Sequence, residues 1–90
     1  MKYKIFGNRI NLDHLESLLN EKFSNTACTG EDDKLLVFNT EIDNIRLIKE
    51  ELKKNLKIHH SGYKVIFIDY LPKSSSGKIQ YGLLKDELSR

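Results

Sequence analysis

The chain has no tryptophan and only one cysteine, one proline and one methionine among its 90 residues. With Cys28 alone, an internal disulfide framework is excluded, as is any zinc site built from several thiolates. Cys28 lies in the apolar-leaning stretch Thr26-Ala27-Cys28-Thr29, which predicts a buried structural thiol, the usual setting of an unpaired cysteine. A single proline, Pro72, rules out a proline-rich linker, and no internal repeat or low-complexity segment divides the chain. No run approaches the ~18 consecutive apolar residues of a membrane span. The polar N-terminus does not read as a signal peptide, so the expected location is cytoplasmic, without a membrane span.

A chain of 90 residues makes one domain and buries about two thirds of the surface its unfolded form exposes. That suffices for a core, but not for a deep substrate cavity as well. The formal net charge is only +2, yet it is unevenly placed. Residues 1–52 carry seven Lys/Arg and ten Asp/Glu, whereas residues 53–85 carry seven lysines against Asp69 alone. Such a gradient suits an anionic partner, although a charge run taken alone is more often just a solvated face.

Hydrophobic periodicity outlines the elements. Lys2 to Phe6 alternates polar and apolar as a short strand does, and Gly7-Asn8 breaks it. Asn11 is placed to cap a helix whose apolar positions are Leu12, Leu15, Leu18, Leu19 and Phe23. Thr26–Thr29 and Leu35–Phe38 read as two strands joined by the polar turn from Gly30 to Lys34. Thr40 with Asp43 three residues on resembles a capping box. It opens a helix with a stripe of Ile42, Ile45, Ile48, Leu52 and Leu56 and a supportive Glu50–Lys54 spacing. His59 to Gly62 ends that helix. Tyr63–Asp69 is the most apolar strand, expected at the centre of the sheet. Tyr81–Leu88 closes the chain as a helix with Leu84 and Leu88 facing inward. The expected fold is α+β: a small domain with a mainly antiparallel three-stranded sheet, helices packed against it, and a short N-terminal strand or hairpin.

Pro72-Lys73-Ser74-Ser75-Ser76-Gly77-Lys78-Ile79 puts a lysine in a loop of small residues directly after an apolar strand. A long cation beside glycine and hydroxyls can approach a phosphate or carboxylate without crowding, and phosphoryl and acyl transfer need such a group where charge builds. A phosphate-cradling P-loop is excluded: it needs glycine five residues before Gly-Lys and Ser or Thr after it, positions held here by Pro72 and Ile79. By residue chemistry alone the loop is equally a plain turn with a solvated lysine.

The segment Phe67-Ile68-Asp69-Tyr70-Leu71-Pro72-Lys73-Ser74-Ser75-Ser76-Gly77-Lys78-Ile79-Gln80 resembles the closing motif of the adenylate-forming enzymes. These are the acyl-CoA synthetases, the adenylation domains of peptide synthetases, and the luciferases. At the other end, Lys4-Ile5-Phe6-Gly7-Asn8-Arg9-Ile10-Asn11-Leu12, followed by Glu16, resembles the stretch that begins their mobile C-terminal domain. Two motifs in the right order are more specific than either alone, and together they span nearly the whole chain. Departures from the pattern are Asn11 for the usual glutamate, Gly62 where a proline commonly precedes the strand, and Gly82 at an often charged position.

The resemblance implies that residues 1–90 form the C-terminal mobile domain of an ATP-dependent acid ligase, most simply an acyl-CoA synthetase, and that the large N-terminal adenylation domain lies in another segment of the same or a separate chain. Lys78 is then the catalytic lysine of adenylation, with Pro72, Ser76 and Gly77 supporting its loop. Lys4, Phe6, Gly7 and Arg9 belong to the loop presented to pantetheine in the thioester step. The full enzyme would use ATP with Mg2+ and either coenzyme A or the phosphopantetheine of a carrier protein. The domain alone would bind none of these stably and would be inactive. The alternative is a free-standing module that docks to an adenylating enzyme or carrier protein.

Other side chains invite other chemistry. Adjacent His59 and His60 point in different directions, with no cysteine or carboxylate at ligand spacing, so no metal site is expected. His14 reads as a surface residue. Tyr63, Tyr70 and Tyr81 interleave with lysines as in a single-strand nucleic-acid platform, but the small net charge and the ligase-like motifs argue against nucleic acid.

Overall fold

A computed structural model describes the backbone of residues 2–5, 8–31, 34–56 and 59–88, with side chains over 10–30, 34–56, 59 and 61–86. Strands β1 (Lys2–Ile5) and β2 (Asn8–Asn11) pair antiparallel as an N-terminal hairpin. Helix α1 (Leu12–Lys22), strands β3 (Thr26–Glu31) and β4 (Lys34–Asn39), helix α2 (Ile42–Asn55), a 3-10 turn (His60–Gly62), strand β5 (Tyr63–Phe67) and helix α3 (Tyr81–Leu88) follow. The fold is α+β, as the periodicity implies.

The three-stranded sheet has the order β3-β4-β5. β3 and β4 pair antiparallel, extending to Glu31 opposite Lys34, so the strands run further into the expected Gly30–Lys34 turn than their composition suggested. Asp32 and Asp33, the rest of that turn, lie outside the described residues. β5 pairs parallel to β4, returned beside it by α2. The sheet is thus mixed rather than purely antiparallel.

The apolar strand from Tyr63 is not central as expected; β4 is, and β5 is an edge. The reason lies in the side chains. Leu35, Leu36, Val37, Phe38 and Asn39 of β4 are all buried, whereas Lys64 and Phe67 of β5 reach solvent. A strand covered on both faces must be apolar at consecutive positions, and β4 meets that requirement.

Alternation along β4 divides the core in two. Leu35 and Val37 face α1 and α2, packing with Leu12, Leu15, Leu19, Ile48 and Leu52. Leu36 and Phe38 face the other way, covered by Leu84 of α3 with Ile66, Ile68, Leu71 and Ile79 around it. Two expected core positions are corrected. Leu18 is 46% exposed and Ile42 64% exposed. Leu18 falls beside the buried stripe of α1, and the stripe of α2 meets the core only from Ile45 onward. The inward placement of Leu88 concerns a side chain outside the described residues.

Asn11 caps α1 as anticipated, its side chain accepting the His14 N–H at 3.1 Å. The Thr40–Asp43 capping box does not form; α2 has Glu41 at its cap position, with no side-chain cap bond. Buried Asn39 takes over the local polar bonding. Its Oδ1 accepts the Glu41 N–H at 2.8 Å and the Asn44 Nδ2 at 3.2 Å, and its Nδ2 donates to Ser24 O and Thr26 Oγ1.

Candidate functional site

Lys78 stands on a small hairpin between β5 and α3. The Gln80 N–H donates to Pro72 O at 2.9 Å, Lys73 bridges Ile79, and the Ser74 N–H donates to Lys78 O at 2.8 Å. The Gly77 N–H closes the tip onto Ser74 O at 2.9 Å. Gly77 itself has φ +85°, a left-handed conformation that glycine adopts without Cβ strain. A turn followed by a left-handed glycine is a usual way to close a short hairpin. The loop of small residues is therefore a hydrogen-bonded structure and not a slack turn.

The serines contribute to this geometry. Ser74 Oγ lies 2.9 Å from Ser76 Oγ and accepts the Lys78 N–H at 3.3 Å. Side-chain placement alternates across the lysine: Ile79 packs into the α3-side core, and Lys78 is exposed. Leu71, just before Pro72, packs into the same core. The hairpin is seated by its apolar residues and presents its cation outward.

At the other end of the chain, register places Lys4 opposite Arg9 and Ile5 opposite Asn8, so the link between β1 and β2 is two residues long. Phe6 and Gly7, which form that link, lie outside the described residues, as do the side chains of Lys4 and Arg9. The structure brings the backbone of Lys4 and Arg9 together.

A bond between remote segments lies directly after the Lys78 hairpin. The Tyr81 hydroxyl, at the first residue of α3, lies 2.8 Å from both carboxylate oxygens of Glu16 on α1 and donates to them. Glu16 Oε1 also accepts the Cys28 N–H at 2.9 Å. One turn along α1, Asn20 donates to Thr26 O at 2.9 Å and accepts the Thr26 N–H at 3.0 Å. Residues 26 and 28 are two apart on edge strand β3, and residues 16 and 20 are four apart on the helix. The two periodicities match, so α1 side chains satisfy outward backbone groups of that edge and block further strand pairing there.

These contacts shift the acidity of the groups involved. Burial, reinforced by the neighbouring Glu16 charge, pushes the Cys28 thiol far above its ordinary range. Partial burial and the hydrogen bond to Glu16 push the Tyr81 hydroxyl up as well. Cys28 is a buried thiol, as its sequence context suggested.

The remaining candidates have structural roles or stand apart. His59 Nδ1 accepts the Ser61 N–H at 3.2 Å and caps the 3-10 turn, while His14 is exposed. The side chain of His60 lies outside the described residues. Among the described residues no three His, Cys, Asp or Glu come together as metal ligands, and no helix is long and apolar enough to cross a membrane. An open groove of about 500 Å³ separates α1 from α2, lined by Leu15, Leu18, Leu52, Leu56 and His14, with the Lys22–Glu51 ion pair also on its wall. The Lys78 hairpin contributes nothing to its lining.

Sequence reasoning placed Glu16 only within a motif and missed its partner. The Glu16/Asn20 pair at helical spacing signals the capping of the β3 edge, and nothing in that spacing points to Tyr81.

No family model matches the chain, and comparison with curated proteins finds no match.

Proposed function

We propose that the chain is the mobile C-terminal domain of an ATP-dependent adenylate-forming ligase, most simply an acyl-CoA synthetase, and that Lys78 is the catalytic lysine of its adenylation step. The supporting observation is the Lys78 hairpin: a braced turn, anchored by Leu71 and Ile79, with an exposed lysine beyond a left-handed glycine. It lies within the segment that resembles the family's closing motif.

In this reading the substrate carboxylate attacks the α-phosphate of ATP and pyrophosphate leaves, giving an acyl-adenylate. Two anions must approach one another, and the Lys78 ammonium between them offsets their repulsion and orients them. Pro72, Ser76 and Gly77 act through the hairpin by fixing its exit and its tip. The large N-terminal domain would hold ATP and Mg2+, as the family resemblance implies. In the second step the domain would turn to present Lys4, Phe6, Gly7 and Arg9 to the pantetheine arm of coenzyme A or a carrier protein. The lysine-rich second half of the chain favours such anionic partners.

The test is complementation with a matching large adenylating domain, followed by pyrophosphate release. Wild-type chain should restore turnover, and Lys78→Ala should lower it by roughly a hundredfold or more, as when a stabilising donor to transition-state charge is removed. Equal rates would remove Lys78 from the mechanism.

A further inference from the structure

The Lys78 hairpin hangs between two fixed points. Its base closes through Gln80 N–H to Pro72 O, and the next residue, Tyr81, is the one bonded to Glu16. The Leu83 and Leu84 N–H groups fold back onto Gln80 O, so α3 begins where the hairpin ends. Leu71, Ile79 and Leu84 are buried or half-buried in the α3-side core and seat the hairpin by apolar contact. A hydrogen bond to a charged acceptor adds direction that apolar packing lacks. Glu16 is suited to that role because Cys28 N–H holds the same carboxylate against the β3 edge.

We propose that the Glu16–Tyr81 pair is a positioning element for Lys78, tying the lysine hairpin to helix α1 and thereby to the end of the chain that carries the Lys4–Arg9 hairpin. The proposal rests on the catalytic reading of Lys78 for its purpose, but not for its test. Tyr81 and Glu16 are positioning residues that act through the hairpin and touch no reacting atom.

Amide hydrogen exchange on the 90-residue chain reads the tether without any turnover. Tyr81→Phe keeps the ring and removes only the donating hydroxyl. Exchange at Ser74, Gly77 and Gln80, the donors of the hairpin, should accelerate by about tenfold or more, the scale of a lost hydrogen bond to a charged group. Exchange at Val37 and Phe38 of central β4 should change by less than about threefold, because those positions report on global opening. Glu16→Gln, whose side-chain oxygen still accepts from Tyr81, should retain most of the hairpin protection. Unchanged exchange in the hairpin, or uniform acceleration across hairpin and β4, would overturn the proposal. Failure of Lys78→Ala to affect pyrophosphate release is a separate result that refutes only the catalytic reading.

Discussion

Tyr81 and Glu16, 65 residues apart in sequence, meet through 2.8 Å contacts from one hydroxyl to both oxygens of one carboxylate. The same carboxylate takes the Cys28 N–H, so one α1 side chain joins the edge of the sheet to the start of the last helix. Glu16→Ala should destabilise the domain by about 2 kcal/mol, since it leaves a backbone donor and a hydroxyl without their acceptor. Glu16→Gln should cost about half as much. Urea unfolding of the three proteins reads both values, and equal costs would mean that the amide fails to replace the carboxylate as acceptor, so that its charge and not its bulk carries these contacts.

Asn39 is the most connected buried polar side chain described. It is 0% exposed, and its amide bonds to the loop before β3, to Thr26 and to the start of α2. Asn39→Leu preserves bulk but strands these partners, and should cost about 3 kcal/mol or more. A loss under 1 kcal/mol in the same unfolding experiment would show that water satisfies those groups.

Stability should fall in alkali, with a direction set by Cys28. The fold holds the thiol protonated by burial, while the unfolded chain ionises it from about pH 8.5. The contribution is complete below that pH and is lost above it, because unfolding then releases a proton. The slope should approach about −1.4 kcal/mol per pH unit, steepening above about pH 10 as Tyr81 adds the same sense of shift. Cys28→Ala should flatten the curve between about pH 8.5 and 10. An unchanged slope in that variant would assign the loss to other groups.

The two glycines of the C-terminal segment should respond oppositely to alanine. Gly77 has φ +85° with open space where a Cβ would stand, so Gly77→Ala should cost about 1 kcal/mol of backbone strain. Gly82 is helical and exposed, again with open space around it. Gly82→Ala should therefore gain about 0.5–1 kcal/mol. Thermal unfolding of both variants checks the pair of signs.

Local signals carried the elements well. Asn11 capping α1, the Leu12/Leu15/Leu19 stripe and the helix from Tyr81 depend on residues within a turn or two, where composition and geometry are tightly linked. Strand order was not local. Tyr63–Phe67 reads as more apolar than its edge position warrants, and β4, apolar at consecutive positions, takes the centre once α2 returns the chain to pair β5 beside it. The capping of α2 failed for a local reason outside the capping-box pattern: Asn39, read as a strand end, accepts the Glu41 N–H two residues on, in place of a Thr40 cap. At the candidate site, Gly77 announced a tight turn, but the tie from Tyr81 to Glu16 spans the chain and leaves no periodic trace.

The most direct test of the account separates the two half-reactions. With a matching large domain supplied, Lys78→Ala should slow formation of the acyl-adenylate by about a hundredfold or more and leave thioester formation from preformed acyl-adenylate unchanged. An equal loss in both half-reactions, or in neither, would contradict a lysine that serves adenylation alone.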